Sequence, residues 1–161
     1  MSNEDVKNIV KEVVKEIKEE EEKKKKQGVL HNTRLLMRNY NDLKKHYDKA
    51  KSDIKDIDDK DINIKDIDED ELYILSIKRS RIKTLIMISH IDFALGALRD
   101  KQKQLGTIEK FTALKLYYLD NKTYEEIAEK LNCSVISSRR WVKDMIKEMS
   151  VFLFGIDALK I

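Results

Sequence analysis

Arg139, Arg140 and Lys143 fall within two helical turns of one another, next to two serines that can shape the chain around them. A guanidinium fork matches the O6/N7 edge of guanine as well as phosphate oxygens, and an ammonium matches phosphate. Three such heads on one helix therefore have the chemistry of a duplex-reading surface. Ser134 is placed to cap that helix, and Ser134 and Ser137 offer short hydroxyls to phosphate or base. Lys122 and Thr123 stand at the start of the preceding helix, where exposed N–H groups favour phosphate. A solvated basic face on an ordinary helical hairpin would also carry such charges. The agreement of several local signals favours the DNA reading.

Those signals come from the elements that must position the cations. Thr123 and Glu126 have the spacing of a capping box, which predicts a helix starting after Thr123. Ile127, Ala128 and Leu131 share one face of it, and the small Ala128 lets a second helix cross closely. Asn132 and Cys133 break the periodicity, and Asn tolerates the left-handed conformation that stops a helix. The second helix then carries its cations outward and sets Trp141 and Met145 toward a core. One position departs from the usual helix-turn-helix pattern. The residue ten beyond Ala128 is ordinarily aliphatic and buried, but here it is Ser138, while Val135 and Ile136 fall where base-contacting side chains project. Either these two touch thymine methyl groups, or the second helix is rotated or shifted so that Ile136 enters the core. Val135 and Ser138 are accordingly kept with Lys122, Thr123, Ser134, Ser137, Arg139, Arg140 and Lys143 as DNA-binding candidates.

Composition narrows the rest. Charged residues make up 39% of the 161, against a typical quarter, and there is no proline and only four glycines. That composition fits salt-bridged helices rather than a sheet protein, so an all-α fold is expected. The net charge of +3 is unevenly spread: residues 1–47 carry +3, 48–71 carry −6 and 72–161 carry +6. The basic part is the one holding the candidate surface. Cys133 is the single cysteine, which excludes an intramolecular disulfide and a cysteine-based zinc site, and His31, His46 and His90 lack metal spacing. No Gly-rich phosphate loop and no nucleophile beside a base is found, so neither an enzyme nor a cofactor is expected. Neither a signal-peptide pattern nor a membrane-length apolar run is seen, and a cytoplasmic location follows as an expectation.

Along the chain, residues 1–27 read as a charged N-terminal helix or tail with Val6, Val10, Val13 and Ile17 in a short stripe, followed by a hinge at Lys23–Gly28. Residues 28–49 read as an N-terminal helix capped at Asn32 or Thr33, with Leu36, Tyr40, Leu43 and Tyr47 on one face. Residues 50–71 are an acidic, low-complexity linker with no glycine for a calcium loop. Residues 72–106 form a long connecting helix with a broad apolar face that includes Ile82, Ile86, Phe93 and Leu98. Residues 107–161 form the DNA-binding domain, beginning with a helix whose buried stripe is Phe111, Leu114 and Tyr117 or Tyr118. Phe152, Leu153, Phe154, Ile156 and Leu159 make an apolar end that should fold back or meet a partner.

The run IEKFTALKLYYLDNKTYEEIAEKLNCS resembles the C-terminal promoter-reading region of bacterial sigma factors. A closer resemblance is to sigma-like phage regulators of the ArpU and RinA type. It is carried by the segment from Asn32 to Tyr40, the middle helix RIKTLIMISHIDFALGALR, the pair Arg140–Trp141 and the closing Leu153 to Asp157. The resemblance implies a phage or prophage late-gene activator acting on double-stranded DNA at promoters, with RNA polymerase as a further partner. A homo-oligomer through the N-terminal or long helices fits the same plan. Two other readings stand beside it: a small terminase-like DNA-packaging recognition subunit, and a module that binds polymerase or sigma rather than DNA. Mass in solution and salt-dependent DNA binding would separate the three.

Overall fold

Glu19, Glu20, Glu21 and Glu22 are each followed four residues later by Lys23, Lys24, Lys25 and Lys26. Glu placed N-terminal to Lys at this spacing supports a helix that has no packing partner, by about 0.2–0.5 kcal/mol per pair. In the computed structural model, which describes residues 3–54 and 69–159, helix α1 (Asn3–Arg38) runs unbroken through this block and through Gly28. The hinge expected at Lys23–Gly28 is therefore helical. The break comes instead at Asn39, whose side-chain amide donates to the Leu35 carbonyl at 2.8 Å and competes with the helical ladder there. Helix α2 (Tyr40–Ile54) follows. Thr33, expected as a cap, is buried inside α1 with its hydroxyl donating back to the Val29 carbonyl at 2.9 Å.

Helix α3 (Glu69–Gln104) returns along α2. Residues 55–68, most of the expected acidic linker, lie outside the described residues, as do the side chains of Leu72 and Leu75. The buried face of α3 is Ile88, Ile91, Ala94 and Leu98. Ile82, Ile86 and Phe93, expected on the apolar face, are exposed, Phe93 by 73%. One helix has a single line of closest contact, and the Ile88–Leu98 line occupies it. Asp92 links the two helices by accepting from the Tyr40 hydroxyl at 2.5 Å and from Lys44 Nζ at 2.8 Å. Attraction to Asp92 holds the Lys44 ammonium above its ordinary pKa, and burial with the same carboxylate raises that of Tyr40.

The chain then closes with α4 (Ile108–Tyr118), α5 (Tyr124–Lys130), α6 (Val135–Phe154) and a 3₁₀ turn (Gly155–Ala158). All the described residues are thus helix, turn or loop, with no strand among them. Gly106, at φ +68°, ends α3 in a Schellman motif: its N–H bonds the Lys103 carbonyl, and the Thr107 N–H reaches back to Gln102 at 2.9 Å. Helix α6 is central, touching α1, α3, α4, α5 and the 3₁₀ turn. Met37 from α1, Ile91 and Leu98 from α3, Leu114 from α4, Ile127 from α5 and Met145 and Met149 from α6 belong to one apolar cluster. Glu148 of α6 is held from α3 by Lys101 at 2.8 Å and Gln102 at 3.2 Å. The C-terminal turn meets α1, but Ile156 and Leu159 remain exposed. The stripe Val6 to Ile17 on α1 is likewise uncovered.

Candidate nucleic-acid interface

The turn that presents the cations is built from two short-range devices. At its entry, the Thr123 N–H donates to Glu126 Oε2 at 2.8 Å while the Glu126 N–H donates to Thr123 Oγ1 at 3.2 Å, the complete reciprocal box. The backbone N–H of Thr123, aided by Lys122, holds the Glu126 carboxyl below its usual pKa. At its exit, Asn132 adopts φ +53°, its N–H bonds Glu129, and the Cys133 N–H bonds Ala128 at 3.0 Å. This is again a Schellman motif, with Asn in the left-handed position. Ser134 then caps α6: the Ser137 N–H donates to Ser134 Oγ at 3.0 Å.

Residues of α6 divide cleanly between two faces. Ser138, Val142, Met145, Ile146 and Met149 are buried, and Ile136, Arg139, Arg140, Lys143 and Lys147 are exposed. The exposed set follows helical spacing, so it forms one stripe. Sequence reading reached Arg139, Arg140 and Lys143 but missed Lys147, one turn beyond Lys143 and visible by that spacing alone. Among the described residues no ion pair joins a cation of this stripe to an acidic side chain. Arg139 is instead steadied by an aromatic column: its Cζ lies 5.1 Å from the Tyr124 ring centroid, and Tyr124 stacks on Tyr117 at 4.6 Å with 12° between planes. Guanidinium over a ring face is attractive and keeps all five N–H donors available at its edge. Burial, and then the hydrogen bond with Tyr117, pushes the Tyr124 hydroxyl up to about 12, so it stays neutral. Tyr118, not Tyr117, is the aromatic that enters the core from α4.

Two expected contacts change place. Ser138 is fully buried, with its hydroxyl 2.7 Å from the Val135 carbonyl and 3.1 Å from that of Tyr124. It holds the position ten beyond Ala128 by satisfying its polar atom within the α5–α6 contact, and it cannot reach a duplex. Thr123 accepts from the Glu126 N–H through its hydroxyl oxygen and gives its own N–H to the Glu126 carboxylate, so that N–H is not open to phosphate, while Lys122 beside it is exposed. Ser134 and Ser137 lie at the surface end of α6 with their hydroxyl oxygens 2.9 Å apart, which occupies one of their two protons. Val135 is half-buried and Ile136 is 78% exposed, which rules out the rotated second helix.

Three helices with a tight Asn-centred turn, a buried α5–α6 crossing and a basic outer stripe define a helix-turn-helix DNA-binding domain. Residues 108–149, from the start of α4 into α6, match the family model described as Sigma-70, region 4. No curated protein matches the chain, and no solved structure matches it. Elsewhere the described residues hold no group of acidic, His and Cys side chains suited to a metal ion, and no helix among them is long and apolar enough to cross a membrane.

Proposed function

We propose that the chain is a sequence-specific DNA-binding transcriptional regulator that acts at promoters as a phage or prophage late-gene activator. The observation that carries the DNA part is the stripe Arg139, Arg140, Lys143 and Lys147, raised on α6 opposite a buried face and without internal acidic partners among the described ion pairs. Supporting the regulator part are the Sigma-70 region 4 match over 108–149 and the ordered likeness to ArpU- and RinA-type proteins at Asn32 to Tyr40, Arg140–Trp141 and Leu153 to Asp157. Double-stranded DNA is the partner, with RNA polymerase a second one at the promoter.

In this reading Arg139 and Arg140 take guanine edges or flanking phosphates, Lys143 and Lys147 follow the backbone, and Lys122, Ser134 and Ser137 fix the register. Selection of duplexes from a random pool with the full chain, followed by binding at several salt concentrations, tests it. Arg140→Ala lowers affinity for the selected site by about 1–3 kcal/mol if it reads a base, and Lys143→Ala weakens all duplexes alike and reduces the salt slope by about 1. Equal binding by the wild type and an Arg139→Ala/Arg140→Ala variant would refute the assignment.

A further inference from the structure

We infer that Ile136 reads the C5-methyl group of a thymine, which makes a T·A pair beside the guanine contact a specificity determinant of the target. This rests on the DNA-binding reading above and adds to it the identity of one base. Ile136 is 78% exposed, the most exposed of the large apolar side chains among the described residues. A single exposed aliphatic residue is ordinary on a protein surface. This one differs in its company. It stands in the first turn of α6, two residues after the Ser134 cap, and Arg139, Arg140 and Lys143 follow it at three, four and seven residues on the same face. A duplex drawn onto that stripe by the cations must cover Ile136. Ser138 fixes the helix rotation, because its buried hydroxyl is held at the α5–α6 contact, so Ile136 has no inward alternative.

The major groove offers one apolar group, the thymine methyl. Cytosine would instead press its N4–H₂ donor against a side chain that cannot accept, and guanine or adenine would present acceptors with no donor opposite. Val135, half-buried beside Ile136, widens the same apolar surface. Three to four residues of helix rise about 4.5–6 Å, and successive pairs of a duplex are about 3.4 Å apart. A helix lying along the groove thus places the thymine one or two pairs from the guanine taken by Arg139 or Arg140.

The test takes the site selected by the full chain and replaces its thymines one at a time by deoxyuridine, which removes the methyl and leaves pairing intact. Loss of one buried methyl corresponds to about a fourfold drop in affinity. We expect that drop at one or two positions for the wild type, and no response to the same replacement in Ile136→Ala, whose folding an exposed position leaves unaffected. Unchanged wild-type affinity at every replaced thymine would overturn the inference while leaving the DNA-binding reading standing. A drop that persists equally in Ile136→Ala would overturn the assignment to this residue. If no site is selected from the pool, both readings fall together.

Discussion

Glu126 shows how much of the interface depends on single side chains that never meet DNA. Its carboxylate closes the box that starts α5, and α5 packs against α6. Because the Thr123 N–H and nearby Lys122 depress its pKa, the folded state binds the Glu126 proton less tightly than the unfolded state does. Its stabilising contribution is therefore complete above the unfolded carboxylate pKa and is lost as pH falls through the lower, folded value. Thermal melts of the wild type and Glu126→Gln, taken from neutral pH down through the carboxylate range, should differ most at neutrality and converge in acid. A constant gap across that range would mean that the charge plays no part in the cap. The same local logic made this turn readable in advance. Thr123, Glu126, Asn132 and Ser134 each act on backbone within a few residues, so their types and spacing suffice to predict what they do. Ser138 was readable only in part: its spacing from Ala128 marks a position that is ordinarily buried, but the Tyr124 carbonyl that takes its hydroxyl lies across the turn, a contact no local pattern reveals.

At the scale of elements, the chain uses two different means of making helices. The first part of α1 relies on charge spacing along its own surface, which is why it continues straight through Gly28 where composition alone marks a hinge. The second pair, α2 and α3, relies on packing and on Asp92. Tyr40 and Lys44 converge on that carboxylate from successive turns of α2, fixing the register of one helix against the other. Asp92→Ala should cost about 1–2 kcal/mol, mostly from the part-buried Tyr40 hydroxyl left without its acceptor. Lys44 adds little, since its side chain is 36% exposed and that of Asp92 is 39% exposed, so solvent screens the pair. Denaturant unfolding measures this directly, and Tyr40→Phe in the same background should then have little further effect. A full additional loss in the double variant would show that Tyr40 acts through something other than Asp92.

For the whole molecule, the fold class was legible because charge content, the absence of proline and apolar periodicity all point to helices. The division of the chain into separate pieces was less so. Sequence patterns assign residues to faces but not to partners, and nothing in the run from Leu30 to Arg38 indicates that it lies against the recognition helix. In the structure α6 touches both α1 and α3, and its Met145 and Met149 share a cluster with Met37. The DNA-binding domain thus has no core of its own that is closed off from the N-terminal helices. This predicts coupling that a two-piece molecule would lack. Met37 is fully buried, and Met37→Ala should cost about 2–5 kcal/mol through lost apolar contact and the cavity left behind. The chain has one tryptophan, Trp141, which sits on α6 and so reports on the surroundings of the recognition helix. If the core is shared, Met37→Ala lowers the unfolding midpoint followed by Trp141 fluorescence, although the substitution lies on α1. A Trp141 transition that does not move, while circular dichroism shows the N-terminal helices melting earlier, would mean that the recognition helix is stabilised by α4 and α5 alone.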